Sequence, residues 1–243
     1  MKIFIAGTGS VNPVVYDEVV EKHHPMILES FYYMNRNITA NLSKFDDFLL
    51  DSGAFTFMHA KKHLDFNEYQ QRYIDFINKY DIKHFFELDI DYLIGYDKVK
   101  ILRQQLEKQT GKQCIPVFHK ERGFDEYKKM CQEYKYIAIG TIYQYDKNPQ
   151  ILKQLVQIAK NNGTKVHGLG FTRLDKIDKI GFYSVDSTTW NNASRFGELH
   201  KFTGNSIKKI RFKGKRLVLN DEVVRNNFEE WCKFQKYMRT EYD

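Results

Sequence analysis

Eight short apolar runs rich in Ile, Val, Phe and Tyr, separated by segments of helical period, constrain this chain more than any other feature. They occupy residues 2–6, 26–31, 48–50, 84–88, 114–118, 136–139, 165–166 with Leu169, and 182–185. Each suits a strand and falls short of a helix. Between them apolar residues recur every three or four positions, as in Phe66, Tyr69, Tyr73, Ile74, Phe76 and Ile77, and again in Ile151, Leu152, Leu155, Val156 and Ile158. Strands alternating with helices imply parallel pairing through helical crossovers. Eight such units within 243 residues have the size of a (β/α)8, TIM-type barrel; a doubly wound open sheet is the alternative. The expected organisation is a barrel domain over residues 1–200 with a basic appendage over 201–243 packed on it. That appendage is predicted as a short hairpin and a final amphipathic helix near residues 221–239, burying Val224, Phe228, Trp231 and Met238.

Composition narrows the function classes. Nineteen Phe, 16 Tyr and 2 Trp beside only 4 Pro exclude a disordered or low-complexity chain. No apolar stretch approaches the roughly 20 residues that span a bilayer. The opening Met1-Lys2-Ile3-Phe4-Ile5-Ala6-Gly7 has the pattern of a strand rather than of a signal peptide, so the expected location is cytoplasmic, without a membrane partner. Cys114, Cys131 and Cys232 are too far apart for a local metal knuckle and are expected to be reduced packing residues. Net charge is +7, and residues 201–243 hold 11 Lys/Arg against 6 Asp/Glu. Seven basic side chains and no acid lie within residues 201–216, among them Lys208, Lys209, Arg211, Lys213, Lys215 and Arg216, with Phe202 and Phe212 interleaved. Two readings are open: a surface for a polyanion, or a solvated hairpin turning at Lys213-Gly214 between residues 207–212 and 215–219.

In a parallel barrel the chemistry gathers where strands end. Here residues 48–50 run into Asp51-Ser52-Gly53-Ala54-Phe55, and residues 84–88 into Asp89-Ile90-Asp91. The next runs end at His119, at Gly140-Thr141, at His167-Gly168-Leu169-Gly170, and at Asp186-Ser187-Thr188-Thr189-Trp190. Singly, each Asp suits a helix N-cap or a structural ion pair, and each Gly a tight turn. Three strands that bring carboxylates to one rim suit cleavage of a glycosidic bond, one acid assisting the leaving group and another attacking the sugar carbon. Other motifs fail. Gly7-Thr8-Gly9-Ser10 lacks the third glycine of a dinucleotide loop, and His59 with His63 lacks the Glu of a zinc-protease helix. No G-x-S-x-G elbow is present.

Asp51-Ser52-Gly53-Ala54-Phe55 resembles the D-S-G-G-F segment of the tRNA-guanine transglycosylases, and Tyr183-Ser184-Val185-Asp186-Ser187-Thr188-Thr189-Trp190 resembles their later strand with its nucleophilic aspartate. The likeness covers residues 48–190 in order, and its wording is most similar to the DpdA-type DNA 7-deazaguanine transglycosylases of bacteria and phages. It implies a pentosyltransferase that exchanges guanine in DNA for a free 7-deazaguanine base, such as the 7-cyano form, with no cofactor or metal. Asp186 would be the nucleophile on C1′, and Asp51 the proton-transfer partner of the bases. Ser52, Gly53, Asp89, Asp91, His119, Gly140, Thr141, His167, Gly168 and Gly170 would form the base site, a Gly140 N–H meeting O6, with Phe55 as a stacking face. Lys208, Lys209, Arg211, Lys213, Lys215 and Arg216 would hold phosphates. The chain departs from the tRNA enzymes in lacking their cysteine-rich zinc segment and in carrying Thr141 at a usual glycine. The alternatives are the same exchange on tRNA, a nucleoside base-cleaving hydrolase, and a non-catalytic nucleic-acid-binding subunit.

Overall fold

The computed structural model describes residues 1–53, 65–145, 148–171, 177–191, 198–211 and 221–241. Every apolar run becomes a strand: β1 (Lys2–Ala6), β2 (Met26–Ser30), β3 (Asp47–Asp51), β4 (His84–Phe85), β5 (Val117–Phe118), β6 (Tyr136–Ile139), β7 (Lys165–Gly168) and β8 (Ser184–Ser187). They form one sheet of order β4-β3-β2-β1-β8-β7-β6-β5. Pairing is parallel, with Ile5 opposite Ile27, Phe4 opposite Asp186, Leu50 opposite Phe85, Phe118 opposite Ile139, and Ile139 opposite Gly168. Pairing of successive strands, with β1 beside β8, is the topology of the (β/α)8, TIM-type fold. The runs read as continuously apolar because strands of such a sheet are covered on both faces.

The chain divides into two compact units, and the first comprises Met1–Glu29, Met34–Phe48 and Gly170–Asp243. Its helix Pro13–His23 starts where the Asn12 side chain accepts the Val14 N–H and Pro13 supplies a preset φ; it stops at His24, which is left-handed at φ 47°. The terminal helix Asp221–Glu241 buries Val224, Phe228, Trp231 and Met238 as expected. It also buries Gln235, whose amide bonds to the backbone of two adjacent strands. Oε1 accepts the Met26 N–H at 2.8 Å, while Nε2 donates to the Met26 carbonyl at 2.8 Å and to the Ile3 carbonyl at 2.5 Å. Trp190 stacks on Phe228 with ring centroids 5.1 Å apart and donates to the Ala6 carbonyl at 2.8 Å.

A hairpin forms on the N-terminal side of the expected one. β9 (Glu198–Phe202) pairs antiparallel with β10 (Ile207–Arg211), Lys201 standing opposite Lys208. The turn lies at residues 203–206, closed by the Thr203 N–H on the Ser206 carbonyl at 2.9 Å, with Gly204 at φ 98°. A glycine readily takes the positive φ this turn needs; the hairpin expected at Lys213-Gly214 falls on residues 212–220, which lie outside the described ones. His200 is buried under the hairpin, where Nδ1 accepts the Trp231 indole N–H at 2.7 Å. Burial, then nearby Lys209, lowers its pKa to about 4.

The second unit comprises Ser30–Tyr33 and Leu49–Leu169. Its helix Phe66–Lys79 is capped by Asp65, which accepts the Asn67 and Glu68 N–H groups, and buries Tyr69, Tyr73, Ile74 and Ile77. The Tyr73 hydroxyl lies 3.1 Å from the Leu50 carbonyl and 3.0 Å from that of Phe86, tying the ends of two strands together. The helix Pro149–Asn161 buries Leu152, Leu155 and Val156 and leaves Ile151 at its exposed edge. β4 and β5 are shorter than their apolar runs. Phe86 still bridges Ile115, with the Ile115 N–H on the Phe85 carbonyl at 2.8 Å and the Glu87 N–H on the Ile115 carbonyl at 3.1 Å. The ladder stops there because the Val117 N–H bonds to the Glu87 side chain at 2.8 Å rather than to the backbone of the neighbouring strand.

Cys114, Cys131 and Cys232 are free and buried. Burial raises the pKa of all three, that of Cys131 to about 11. Among the described residues no helix is long and apolar enough to cross a membrane.

Gln235→Leu preserves side-chain volume but strands one N–H and two carbonyls in the interior. A loss of about 2–4 kcal/mol is expected, read as a lower urea midpoint at unchanged m-value.

Candidate functional site

Six of the candidate site residues wall one cavity of the second unit, about 670 Å³ in volume: Asp51, Asp89, Asp91, His119, Gly140 and Thr141. That volume is typical for a small-molecule site. Each residue stands at or just beyond a strand end. Asp51 closes β3 and curls back so that Oδ2 accepts the Gly53 N–H at 3.0 Å. Gly53 has φ 79°, and a Cβ there would lie 2.9 Å from Tyr32 Cβ and 2.9 Å from the Tyr69 hydroxyl. Only glycine fits this turn. Ser52 is fully buried, and its carbonyl accepts the Tyr69 hydroxyl at 2.8 Å.

The two acids after β4 have different partners. Asp89 Oδ2 is 3.2 Å from His119 Nε2. Asp91 is gripped by Arg122, with Nε to Oδ1 at 3.1 Å and Nη2 to Oδ2 at 2.6 Å. The same guanidinium bonds to the fully buried Glu87 at 2.6 Å and lies 4.3 Å from the Tyr96 ring centroid. Burial opposes the Arg122 charge, but Glu87 and Asp91 outweigh it and hold its pKa above the ordinary value. A bidentate arginine clamp occupies Asp91, whereas Asp89 pairs with the His119 ring at the cavity wall.

Gly140 contributes room rather than a donor. Its N–H is bonded to the Phe118 carbonyl at 2.9 Å within the ladder, which overturns the expectation that it would meet a ligand oxygen. A Cβ at Gly140 would stand 2.6 Å from His119 Cε1 and 3.0 Å from Val117 Cγ1; the imidazole takes the space a side chain would need. Thr141 is left-handed at φ 48°, a costly conformation for a β-branched residue. Its buried Oγ1 has no hydrogen-bond partner among the described residues.

From the segment after β7, Leu169 walls the cavity. His167 is fully buried, its ring 5.4 Å from Phe86 and 6.5 Å from Tyr136, and Gly168 is paired opposite Ile139. In the first unit, Asp186 is 6% exposed within β8, and its Oδ1 accepts the Gly170 N–H at 2.6 Å. That bond fixes the carboxylate and gives Gly170, at φ 69°, a positioning role. On the hairpin, Arg211 pairs with Glu198, Lys209 Nζ is 3.9 Å from the same carboxylate, and Lys208 is exposed. Phe55, His59, His63, Lys213, Lys215 and Arg216 lie outside the described residues.

The sequence reading missed several groups. Glu87 was hidden inside an apolar run, and Arg122, Glu121, Tyr92, Tyr96, Tyr143 and Gln144, which also wall the cavity, follow no motif. Glu29 was hidden likewise. It is 2% exposed near the end of β2 and accepts both the N–H and, at 2.5 Å, the hydroxyl of Thr8. Burial pushes its pKa up to about 7 against the opposing Thr8 and Gly9 hydrogen bonds.

No protein-family model matches the sequence, and no curated protein matches it. Among solved structures the chain is similar to one titled "QR15, an Aldolase", with TM-score 0.51 and 11% identity over 77% of this chain and 89% of that one. It is also similar to the carboxyl transferase domain of Rhizobium etli pyruvate carboxylase. With 3-bromopyruvate that structure gives a TM-score of 0.51 and 9% identity; with 3-hydroxypyruvate, 0.50 and 10%. Both comparisons cover 100% of this chain and 48% of the other, so the chain spans about half the length of the carboxyl transferase structures. At such identities the likeness is one of fold, the (β/α)8 barrel.

Two outcomes follow from this geometry. Gly140→Ala displaces the His119 ring from Asp89 and costs about 1–3 kcal/mol, measurable by chemical denaturation together with loss of the His119 imidazole signal of the paired state. For Glu29 the folded pKa of about 7 lies above the unfolded value of roughly 4.5. Its contribution to stability is therefore complete below about pH 4.5 and is lost as pH rises through 7, on the order of 3 kcal/mol. Glu29→Gln is expected to abolish that slope in a denaturation series from pH 4.5 to 7.5.

Proposed function

We propose that this chain is a DNA-guanine transglycosylase, exchanging guanine in DNA for a 7-deazaguanine base through a covalent sugar–enzyme intermediate. One observation carries the proposal: Asp51, Asp89, Asp91, His119, Gly140 and Thr141, which the resemblance assigns to the bases, line a single cavity. Its chemistry suits a purine edge. Asp89 is an acceptor for the N–H donors at N1 and N2 of guanine, and His119, held against Asp89 at 3.2 Å, offers a second polar ring edge. Leu169 and the tyrosines supply apolar wall.

In the proposed reaction the Asp186 carboxylate attacks C1′. The C1′–N9 bond breaks, its electron pair stays on N9, and the departing guanine takes up a proton at Asp51. The incoming 7-deazaguanine gives its N9 proton to Asp51 and attacks C1′, and the C1′–O bond to Asp186 breaks. Two displacements preserve the β configuration. The Gly170 N–H at 2.6 Å from Asp186 Oδ1 would hold the carboxylate in place for that attack. Because C1′ of a stacked nucleotide is out of reach, the target must be extruded or single-stranded, at a cost of a few kcal/mol.

The test is a denaturing gel after incubation with guanine-containing DNA, paired with a labelled-guanine exchange assay. Wild type should give a covalent adduct and exchange. Asp186→Asn should lose the adduct and at least about a thousandfold of the exchange rate, and an adduct retained by that variant refutes the assignment of Asp186.

A further inference from the structure

The cavity has an acidic floor and an aromatic mouth. Asp51, Asp89, Asp91 and Glu121 face it, against the cations Arg122 and, when protonated, His119; Arg122 is already committed to Glu87 and Asp91. Such a floor repels phosphate. Yet two tyrosines wall the same cavity while remaining largely in water, Tyr92 at 91% exposure and Tyr143 at 72%. Tyr92 belongs to the short helix Asp91–Ile94 after β4, and Tyr143 to the turn Ile142–Tyr145 after β6. The strand between them in the closing order is β5, whose end carries His119. The two rings therefore flank the strand end at which the polar pair meets. Neither ring makes an aromatic contact with another side chain among the described residues, unlike Tyr96, which is covered by Arg122 at 4.3 Å and hydrogen-bonded to Glu126 at 2.5 Å.

We infer that Tyr92 and Tyr143 are stacking faces for the bases adjoining the nucleotide that enters the cavity, so that the chain binds single-stranded DNA through its bases at this mouth. The inference rests on the DNA-guanine assignment above and deepens it. A ring face tolerates any base, because every base has a π-face. Such contacts can hold a strand where carboxylates keep the backbone away, and they favour unpaired over duplex substrate because the flanking bases must leave their own stack. Phosphate contacts would then lie elsewhere and carry the salt dependence.

The probe is a fluorescently labelled single-stranded thymine 13-mer with one central guanine, followed by anisotropy across a salt series, beside the same sequence as duplex. Tyr92→Ala and Tyr143→Ala should each weaken single-strand binding by about 5- to 100-fold with the salt slope unchanged, and Tyr→Phe should restore it. Duplex should bind more weakly than single strand. Both positions are exposed, so unchanged circular dichroism and melting temperature confirm that the variants fold. If wild type exchanges guanine into the oligonucleotide and the alanine variants bind it as wild type does, the stacking role is overturned and the exchange activity stands. If wild type neither binds nor exchanges, the DNA assignment fails and the stacking role with it.

Discussion

A carboxylate with almost no access to water sits where β4 meets β5. Moving Glu87 from solvent to that position costs several kcal/mol unless its oxygens are matched. The Val117 N–H at 2.8 Å and the Arg122 guanidinium at 2.6 Å both bond to Oε1, while Oε2, with no hydrogen bond among the described residues, faces the Arg103 charge at 3.5 Å. The first of these ends the backbone ladder between the two strands. The second places a guanidinium beneath the cavity, where its remaining N–H groups turn Asp91 inward and its face covers Tyr96. Strand closure, the cavity floor and the division of labour between Asp89 and Asp91 thus share one buried ion network, and removing any member would leave an uncompensated charge.

Around that network the site is built from small residues that yield space to large ones. Gly53 admits Tyr32 and Tyr69, and Gly140 admits the His119 ring. Thr141 runs the other way. A β-branched residue in the left-handed region with an orphan hydroxyl stores strain that glycine would not, and such strain gathers where a protein handles ligands.

The fold was legible because strands covered on both faces must be apolar throughout, and all eight runs became strands. Asp51, Asp89, His119 and Gly140 were legible because each immediately follows such a run, and strand ends are where this architecture opens. Glu87 and Glu29 were not, because each sits inside a run that reads as plain strand; their partners, Arg122 and Thr8, lie 35 and 21 positions away. The hairpin shows the same limit from another side. The turn at residues 203–206 was not singled out locally; what supports it is the packing of β9 over the terminal helix, where His200 meets Trp231 and Phe202 packs near Phe234 and Tyr237. Asp91 illustrates a third case: its position was foreseen, but its capture by an arginine 31 residues later was not.

The three buried thiols have a practical corollary. A thiol with its pKa raised by burial exposes almost no thiolate to a reagent, so maleimide and iodoacetamide probes find no ready target at Cys114, Cys131 or Cys232 while the native structure holds. One cysteine introduced on an exposed strand-end loop would then be a single attachment point for a dye or spin label, with no need to strip the native cysteines from the core first.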